Sequence, residues 1–340
     1  MIKRLLIALL VTSTLGISGC GYVANNKESA VGKTMIDLNN MQDWCVGRYT
    51  FKLPKDAKMI DEIINYDSFK IDSKTKATRL DFDEAIKEIE KEYNTKEDFI
   101  KDQTAIETSK NIITKIIWGH STFAQGRTPV HVYAFVYDQS TRVFFKITGT
   151  YSKKFEKESV NGIKYLVKNL KARDNNTTPT EKGICFKNGF IKDDGREYEF
   201  TRQKIGFNFA KAPSVVIIAE TEVIYKTEDN LIARTEKNLK RSPNYPKNMS
   251  TSKNLKKGNK IANPSTPISG VELVTEIGLE GGTGILATWE HSGTVKSATD
   301  PLLSITVDTA RTNSYVKTSS VPNQNGLQVY EAILNSIRKF

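Results

Sequence analysis

The stretch that decides the fold is WCVGRYTFKLP, residues 44–54, in which polar and apolar side chains alternate over TFKL, residues 50–53, before Pro54. A second stretch, GICFKNGFI at residues 183–191, also places a cysteine among apolar residues ahead of a glycine. Alternation with a period of two predicts a half-buried strand, and a proline, which lacks an amide hydrogen, ends it. The chain therefore contains two similar halves, and each half opens with strands.

The rest of each half follows the same order: a polar stretch that favours helix, a group of strands and a closing amphipathic helix. In the first half, apolar residues at helical spacing predict a helix that begins near Asp81 and Glu84. Further strands are predicted at residues 112–118, 129–137 and 142–148 of the first half, and at 205–209, 214–219, 271–277, 285–289 and 303–307 of the second. The closing helices carry two apolar stripes: Val160, Ile163, Val167 and Leu170, and then Leu327, Tyr330, Leu334 and Ile337.

This order predicts an α+β fold of two similar domains, each a mainly antiparallel sheet packed by helices and derived from a duplication. The N-terminal domain would span residues 43–173 and the C-terminal domain residues 183–340. Residues 174–182 between them have the polar, proline-containing composition of a linker. A single large domain remains the alternative.

Composition limits the chemistry. The 340 residues carry 50 Lys plus Arg against 39 Asp plus Glu, a net charge of +11, and 38% are hydrophobic, which is typical of a globular protein. No G-x-S-x-G or H-E-x-x-H motif is present, and His120, His131 and His291 share no metal-ligand spacing. The glycines at residues 278–284 lack a following Lys-Ser/Thr and predict a tight turn between strands. We therefore expect no catalytic residues, cofactor or metal, and a protein that is not an enzyme.

The N-terminus has the pattern of an export signal. Lys3 and Arg4 precede an apolar run at residues 5–11 that is too short to span a bilayer. Residues 17–20, ISGC, resemble the bacterial lipobox, in which the cysteine is lipidated and becomes the first mature residue. We expect a signal peptide at residues 1–19, lipidation of Cys20 and a tether at residues 20–42. The mature protein would lie in the periplasm, and Gly21 after the cysteine favours the outer membrane.

The other two cysteines occupy matching positions in the two halves. Because the periplasm is oxidising, Cys45 and Cys185 are candidates for a disulfide bond between the halves. The alternative is that each is a small buried hydrophobic residue in its own core.

Charge is segregated along the chain. Residues 237–260 contain eight basic residues and no acid, and they include Lys253, Lys256, Lys257 and Lys260. The reading we favour is a solvated loop; anionic lipid headgroups or an acidic protein are alternative partners, and nucleic acid is not expected for an exported protein. Residues 81–98 are acidic, and they predict the solvated face of an amphipathic helix.

Several short motifs resemble those of one family, the cognate immunity proteins of type VI secretion lipase effectors, fourth class. The opening at residues 44–54 is similar to the family's N-terminal domain. The motifs that are similar to its C-terminal domain are residues 183–191, 207–216, 288–290, 300–302 and 333–338. The resemblance covers about residues 44–340, and the lysine-rich insert departs from it.

This resemblance implies a periplasmic inhibitor, monomeric when free, that binds a phospholipase toxin and keeps it from membrane lipids. A lipid anchor would concentrate the inhibitor at the surface where the lipase acts. A cleft between two domains would grip the lid of the lipase or block its active-site entrance. The rival from another class is a substrate-binding lipoprotein that holds a small ligand between two domains, which predicts parallel βαβ units. An unrecognised hydrolase is the weakest reading, because no nucleophile motif is present.

Overall fold

The computed structural model describes residues 33–95, 98–120, 130–195, 200–241, 252–310 and 317–340. Its strands are β1 (Met41–Val46), β2 (Tyr49–Pro54), β3 (Ala57–Tyr66), β4 (Phe69–Lys74), β5 (Phe99–Thr104), β6 (Ile112–His120), β7 (Val130–Asp138), β8 (Val143–Tyr151), β9 (Leu170–Ala172), β10 (Gly183–Phe186), β11 (Gly189–Lys192), β12 (Thr201–Phe209), β13 (Val216–Glu222), β14 (Lys253–Ala262), β15 (Ile268–Leu279), β16 (Gly282–His291), β17 (Leu302–Asp308) and β18 (Arg338–Lys339). The α-helices are α1 (Arg79–Glu92), α2 (Glu156–Asn169), α3 (Leu231–Arg241) and α4 (Asn323–Leu334).

Twelve strands form one sheet in the order β14-β15-β16-β17-β13-β12-β3-β4-β8-β7-β6-β5, and every neighbouring pair is antiparallel. The predicted α+β class with mainly antiparallel strands is confirmed. The turn predicted at the glycine-rich residues 278–284 is also confirmed, since Leu279 of β15 pairs with Gly282 of β16. Parallel βαβ units do not occur among the described strands, which argues against the substrate-binding alternative.

The two halves share this sheet. Strand β3 of the first half pairs with β12 of the second half, from Tyr66 opposite Thr201 to Ala57 opposite Phe209. Hydrogen bonding therefore continues from one half into the other, and residues 33–340 form one compact unit. The domain limits at residues 43–173 and 183–340, and an origin by duplication, stay predictions.

The opening hairpin of the first half packs into the core of the second half. Tyr49, Phe51 and Leu53 of β2 are buried in one cluster with Trp289 of β16 and Tyr330 of α4. The last strand of the chain, β18, extends this hairpin by pairing with β2. The first hairpin is thus an integral part of the C-terminal core.

The opening hairpin of the second half, β10–β11, packs into the core of the first half. Ile184, Phe186 and Ile191 of β10 and β11 are buried with Phe145 of β8 and Leu166 of α2. Strand β9, which ends the first half, pairs with β11 as β18 pairs with β2. Each half therefore supplies a hairpin to the other half's core, an arrangement that alternating patterns along the chain do not reveal.

The helices lie on both faces of the large sheet. Helices α2 and α4 pack in the same clusters as the two hairpins. Helix α1 packs in a third cluster, where Phe82 and Ile89 meet Phe135 and Phe144. It begins earlier than predicted: Thr78 is the N-cap, and its side chain accepts a hydrogen bond from the Asp81 amide, as in a capping box.

The basic stretch at residues 237–260 is not one solvated loop, and that reading is wrong for its described residues. Residues up to Arg241 belong to α3, and residues from Lys253 onward form β14, an edge strand of the large sheet. The strand forms because its backbone pairs with β15 along nearly its whole length. Residues 242–251 lie outside the described residues.

Within the described residues, the longest helices fall short of what crossing a bilayer requires in length and apolarity.

Candidate interaction surface

The middle of the large sheet has one face that bears no helix among the described residues. Along β12, Gln203, Ile205 and Phe207 are buried, whereas Lys204 and Gly206 between them are partly exposed. This alternation separates a buried face, packed by the hairpins, from an outward face. We call the outward residues of the three middle strands the central face: Ile60, Ile63 and Asn65 of β3, Arg202, Lys204 and Gly206 of β12, and Ile218, Glu220 and Glu222 of β13.

Helix α1 lies on the same side of the sheet as the central face, at its first-half end. Lys146 of β8 points towards α1, where its Nζ atom lies 3.9 Å from a carboxylate oxygen of Glu88. Two residues further along β8, on the same face, Thr148 lies opposite Lys70 of β4 in the strand register. Lys70 in turn pairs with Asn65 of the central face. Strand register therefore places α1 at one border.

Helix α3 lies at the opposite border. Arg234 of α3 binds both carboxylate oxygens of Glu290 on β16, at 3.0 and 2.5 Å. Glu290 pairs with Ser304 of β17, and Ser304 pairs with Glu220 of the central face. The central face is consequently a strip of sheet bordered by one helix on each side.

The central face combines apolar and charged side chains. Ile60 and Ile63 are 50% and 39% exposed, which is high for large aliphatic residues on a sheet. Beside them, Arg202 pairs with Glu220 at 3.1 Å and with Glu222 at 3.6 Å. Exposed ion pairs of this kind add little to stability.

A hydrogen-bonded chain on the buried side connects β3 to both hairpins. The Gln203 side chain donates to Glu62 at 2.8 Å and accepts from the Gly47 amide at 2.7 Å. The Lys187 amide also donates to Glu62, at 2.9 Å. Burial raises the pKa of Glu62 to about 7, although these hydrogen bonds and the nearby Arg173 oppose the shift.

The turn of the first hairpin is held by a buried charge pair. Gly47 has a φ of +56°, which favours glycine, and Arg48 follows it into the interior with 3% exposure. The Arg48 guanidinium donates to Asp193 Oδ1 at 3.1 Å and to the Ala298 carbonyl at 2.6 Å. The Tyr66 hydroxyl donates to the other Asp193 oxygen. Sequence reasoning missed this role of Arg48, whose only signal is an arginine inside an apolar hairpin.

The two candidate cysteines lie side by side. Cys45 of β1 and Cys185 of β10 are joined as a disulfide, with Cα atoms 6.0 Å apart, and both are buried beside Phe190. The bond links the hairpin of one half to the hairpin of the other. Cys20 lies outside the described residues, so its lipidation stays a prediction.

The four lysines proposed as partner contacts all lie on β14. Lys256 and Lys260 both pair with Glu331 of α4, at 2.6 and 2.8 Å. Lys257 pairs with Glu236 of α3, whereas no described residue forms an ion pair with Lys253. Three of the four charges are therefore matched by acids of the same chain. Lysines on an edge strand also discourage pairing with foreign strands.

The histidines are not brought together. His120 stacks on Phe99, His131 lies beside Tyr93, and His291 approaches Asp300 at 3.3 Å. Across the described part of the chain, no group of three His, Cys, Asp or Glu side chains is arranged to hold a metal ion.

Two solved structures have a fold similar to that of this chain. The apo structure of the immunity protein TplEi of T6SS from Pseudomonas aeruginosa matches with a TM-score of 0.69 and 19% identity, over 88% of this chain and 97% of that chain. The Tle4-Tli4 complex contains a chain that matches with a TM-score of 0.70 and 19% identity, over 89% of this chain and 98% of that one. At this identity the likeness establishes the fold, which is that of T6SS immunity proteins.

Residues 177–339 also match a family model. They match the model of the Tle cognate immunity protein 4 C-terminal domain. The resemblance noted in the sequence is thereby confirmed, and so is the expectation of a non-enzymatic protein, because the matched family consists of immunity proteins. A comparison with curated proteins found no match.

Proposed function

We propose that this protein is an immunity protein that binds a type VI secretion phospholipase effector and inhibits it by stoichiometric binding. The observation that carries the proposal is the match of residues 177–339 to the cognate immunity domain. The fold over nearly the whole described chain agrees with it, and one protein of that fold, Tli4, is known in complex with Tle4.

The central face is the surface that we assign to the effector. It offers Ile60 and Ile63 as apolar anchors within a charged surround, and buried apolar anchors dominate the energy of protein interfaces. Helices α1 and α3 border it on the same side of the sheet. A projecting segment of the lipase, such as its lid, would be held between the two helices, which would keep the entrance of the lipase closed to lipid.

We also propose that the protein acts in the periplasm, attached to the outer membrane through lipidated Cys20. The export signal and the ISGC sequence at residues 17–20 support this location. An anchored inhibitor would meet the toxin at the lipid surface, where its effective concentration is highest. Palmitate labelling of the wild type and of Cys20→Ser tests the attachment, since only the wild type should be labelled.

The binding proposal is tested with a type VI secretion phospholipase, chosen first from any lipase gene found beside the gene of this protein. The two proteins should co-purify, and phospholipase activity should fall as the inhibitor ratio approaches one to one. Unchanged activity at a twofold excess of inhibitor would show that the protein is not the immunity partner of that lipase.

A pair of variants tests the surface. Ile63→Glu places a charge in the central face and should weaken binding at least tenfold, because the new carboxylate must be desolvated at the interface. Met35→Glu is the matched control: Met35 is 61% exposed, next to residues that pack on α4 at the other face of the sheet. Equal loss of effector binding in the two variants, or no loss in Ile63→Glu, would show that the effector does not bind at the central face.

A further inference from the structure

An exposed aromatic residue lies in a cluster of lysines where the chain passes from β8 into α2. The 3₁₀ turn Lys153–Phe155 leaves Phe155 54% exposed, and the Lys154 Nζ atom lies 5.3 Å from the centre of its ring. Lys153, Lys154 and Lys157 are all exposed around it. We call these four residues the basic aromatic patch.

The lysines of this patch have weak compensation by acids in the described part of the chain: Lys153 acts on the neighbouring Glu156 without a close contact. Among the described residues, none forms an ion pair with Lys153, Lys154 or Lys157. The adjacent acid, Glu156, is paired with Lys101 of β5 at 2.5 Å, which leaves Glu158 as the only other acid of this turn. The patch therefore differs from β14, where three lysines are paired with internal acids.

We propose that the basic aromatic patch binds the surface of an anionic phospholipid membrane. An aromatic ring surrounded by lysines suits the boundary between headgroups and acyl chains, where the ring leaves water and the ammonium groups meet phosphates. Each lysine near such a surface raises the affinity roughly fivefold. A protein partner is the weaker reading, because an interface hot spot needs a surround of packed apolar contacts and this ring projects alone.

This membrane contact goes beyond the proposed inhibition of a lipase. The lipidated Cys20 would hold the protein in the membrane, and a basic patch would add electrostatic attraction to anionic lipid headgroups. The patch would also bring the folded part of the protein to the surface that a phospholipase attacks. It lies on α2, the helix on the face opposite α1, so membrane contact and the central face use different faces of the sheet.

The experiment uses residues 33–340, the compact unit, so that neither signal peptide nor lipid anchor contributes. The protein is sedimented with vesicles of phosphatidylglycerol and phosphatidylethanolamine, and separately with vesicles of phosphatidylcholine alone. We expect binding to the anionic vesicles only, and its loss at 0.5 M salt because screening weakens the attraction.

Two variants and two matched controls locate the contact. Lys153→Glu/Lys154→Glu should reduce vesicle binding at least tenfold, and Phe155→Ala severalfold. Lys87→Glu/Lys91→Glu on α1 makes the same change in net charge, and Leu80→Ala removes an apolar side chain that is 61% exposed on the same acidic helix. Both controls should bind vesicles as the wild type does.

The outcomes separate this inference from the inhibition proposal. If the wild type does not bind anionic vesicles, or if patch and control variants lose vesicle binding equally, the proposed membrane contact is wrong. If the patch variants keep vesicle binding but lose inhibition of the lipase on a soluble monomeric substrate, the patch binds the effector instead. Inhibition of the lipase on that substrate should be unchanged in the two patch variants if the inference is correct.

Discussion

Gly47 and Cys185 exchange both of their backbone hydrogen bonds, with N···O distances of 3.1 Å from the Gly47 amide and 2.8 Å from the Cys185 amide. This bridge joins the β1–β2 hairpin to the β10–β11 hairpin. The disulfide from Cys45 to Cys185 closes the same junction covalently. Because each hairpin is buried in the core of the other half, the junction connects the two cores.

Removal of the disulfide should destabilise the protein without changing its fold. The bond joins residues 140 apart, and such a link restricts the unfolded chain, so Cys45→Ser/Cys185→Ser should lose about 2–5 kcal/mol of unfolding free energy. Urea unfolding of residues 33–340, with and without reductant, measures the loss. Reductant should lower the urea midpoint of the wild type and leave that of the double variant unchanged. Identical midpoints for the wild type with and without reductant would contradict the bond.

The exchange of hairpins predicts that the C-terminal half does not fold alone. Residues 183–340 lack Tyr49, Phe51 and Leu53, which are at most 1% exposed in the C-terminal core. We expect this fragment to show no cooperative unfolding transition and no near-ultraviolet signal from buried Trp289. A peptide of residues 33–56 should restore both. A cooperative transition of residues 183–340 without the peptide would show instead that this half is an independent domain.

The buried pair of Arg48 and Asp193 should be among the most sensitive sites to substitution. Arg48→Met removes the guanidinium that pairs with the buried Asp193 carboxylate, which should cost about 3–5 kcal/mol. Arg79→Met is the control, because Arg79 pairs with Asp83 on the surface of α1, and such a pair contributes about 0.5 kcal/mol or less. Equal effects in thermal unfolding would exclude a structural role for the buried pair. Arg48→Met/Asp193→Asn should recover part of the loss.

Glu62 predicts a pH dependence of stability. Its pKa rises from 4.5 to about 7 on folding, so the folded protein favours the protonated carboxyl. The stabilisation is fully present below pH 4.5 and is lost as the pH rises through about 7, by at most about 3 kcal/mol. Urea unfolding at pH 5 and pH 8 should show the decline in the wild type and a smaller one in Glu62→Gln. Asp61 is the exposed neighbour, and Asp61→Asn should keep the wild-type pH dependence. If Glu62→Gln also kept the wild-type pH dependence, Glu62 would not be its cause.

The strands and helices were largely predictable because their signals are local. Alternation at residues 205–209 and 303–307 reflects one buried face of a strand, and the stripe from Phe82 to Tyr93 reflects one buried face of a helix. The error at the basic stretch has the same origin. Strand β14 is an edge strand whose side chains are mostly exposed, so its order comes from backbone pairing with β15, which leaves no apolar pattern.

The candidate site was less accessible to sequence reasoning. The sequence does not mark Ile60 and Ile63 as surface residues, because exposed and buried isoleucines look the same in a sequence. They are exposed because they lie on the part of the sheet between α1 and α3, which no described helix covers. The lysines of β14 stood out as unpaired charge, but their partners Glu236 and Glu331 are supplied by two separate helices. The buried ion pair of Arg48 and the raised pKa of Glu62 both result from burial, which depends on strands distant in the sequence.

The sequence by itself determined the classes of element, the antiparallel α+β character and the family resemblance, whereas the export signal stays a prediction. All of these are recorded in short windows, as periodicity or as motifs. Only the tertiary structure decided that the two halves share one sheet, that each hairpin completes the other half's core, and that α1 and α3 border one uncovered face. Those features arise from contacts between residues more than a hundred positions apart, such as Gly47 and Cys185, and no local pattern encodes which distant strand will complete a core.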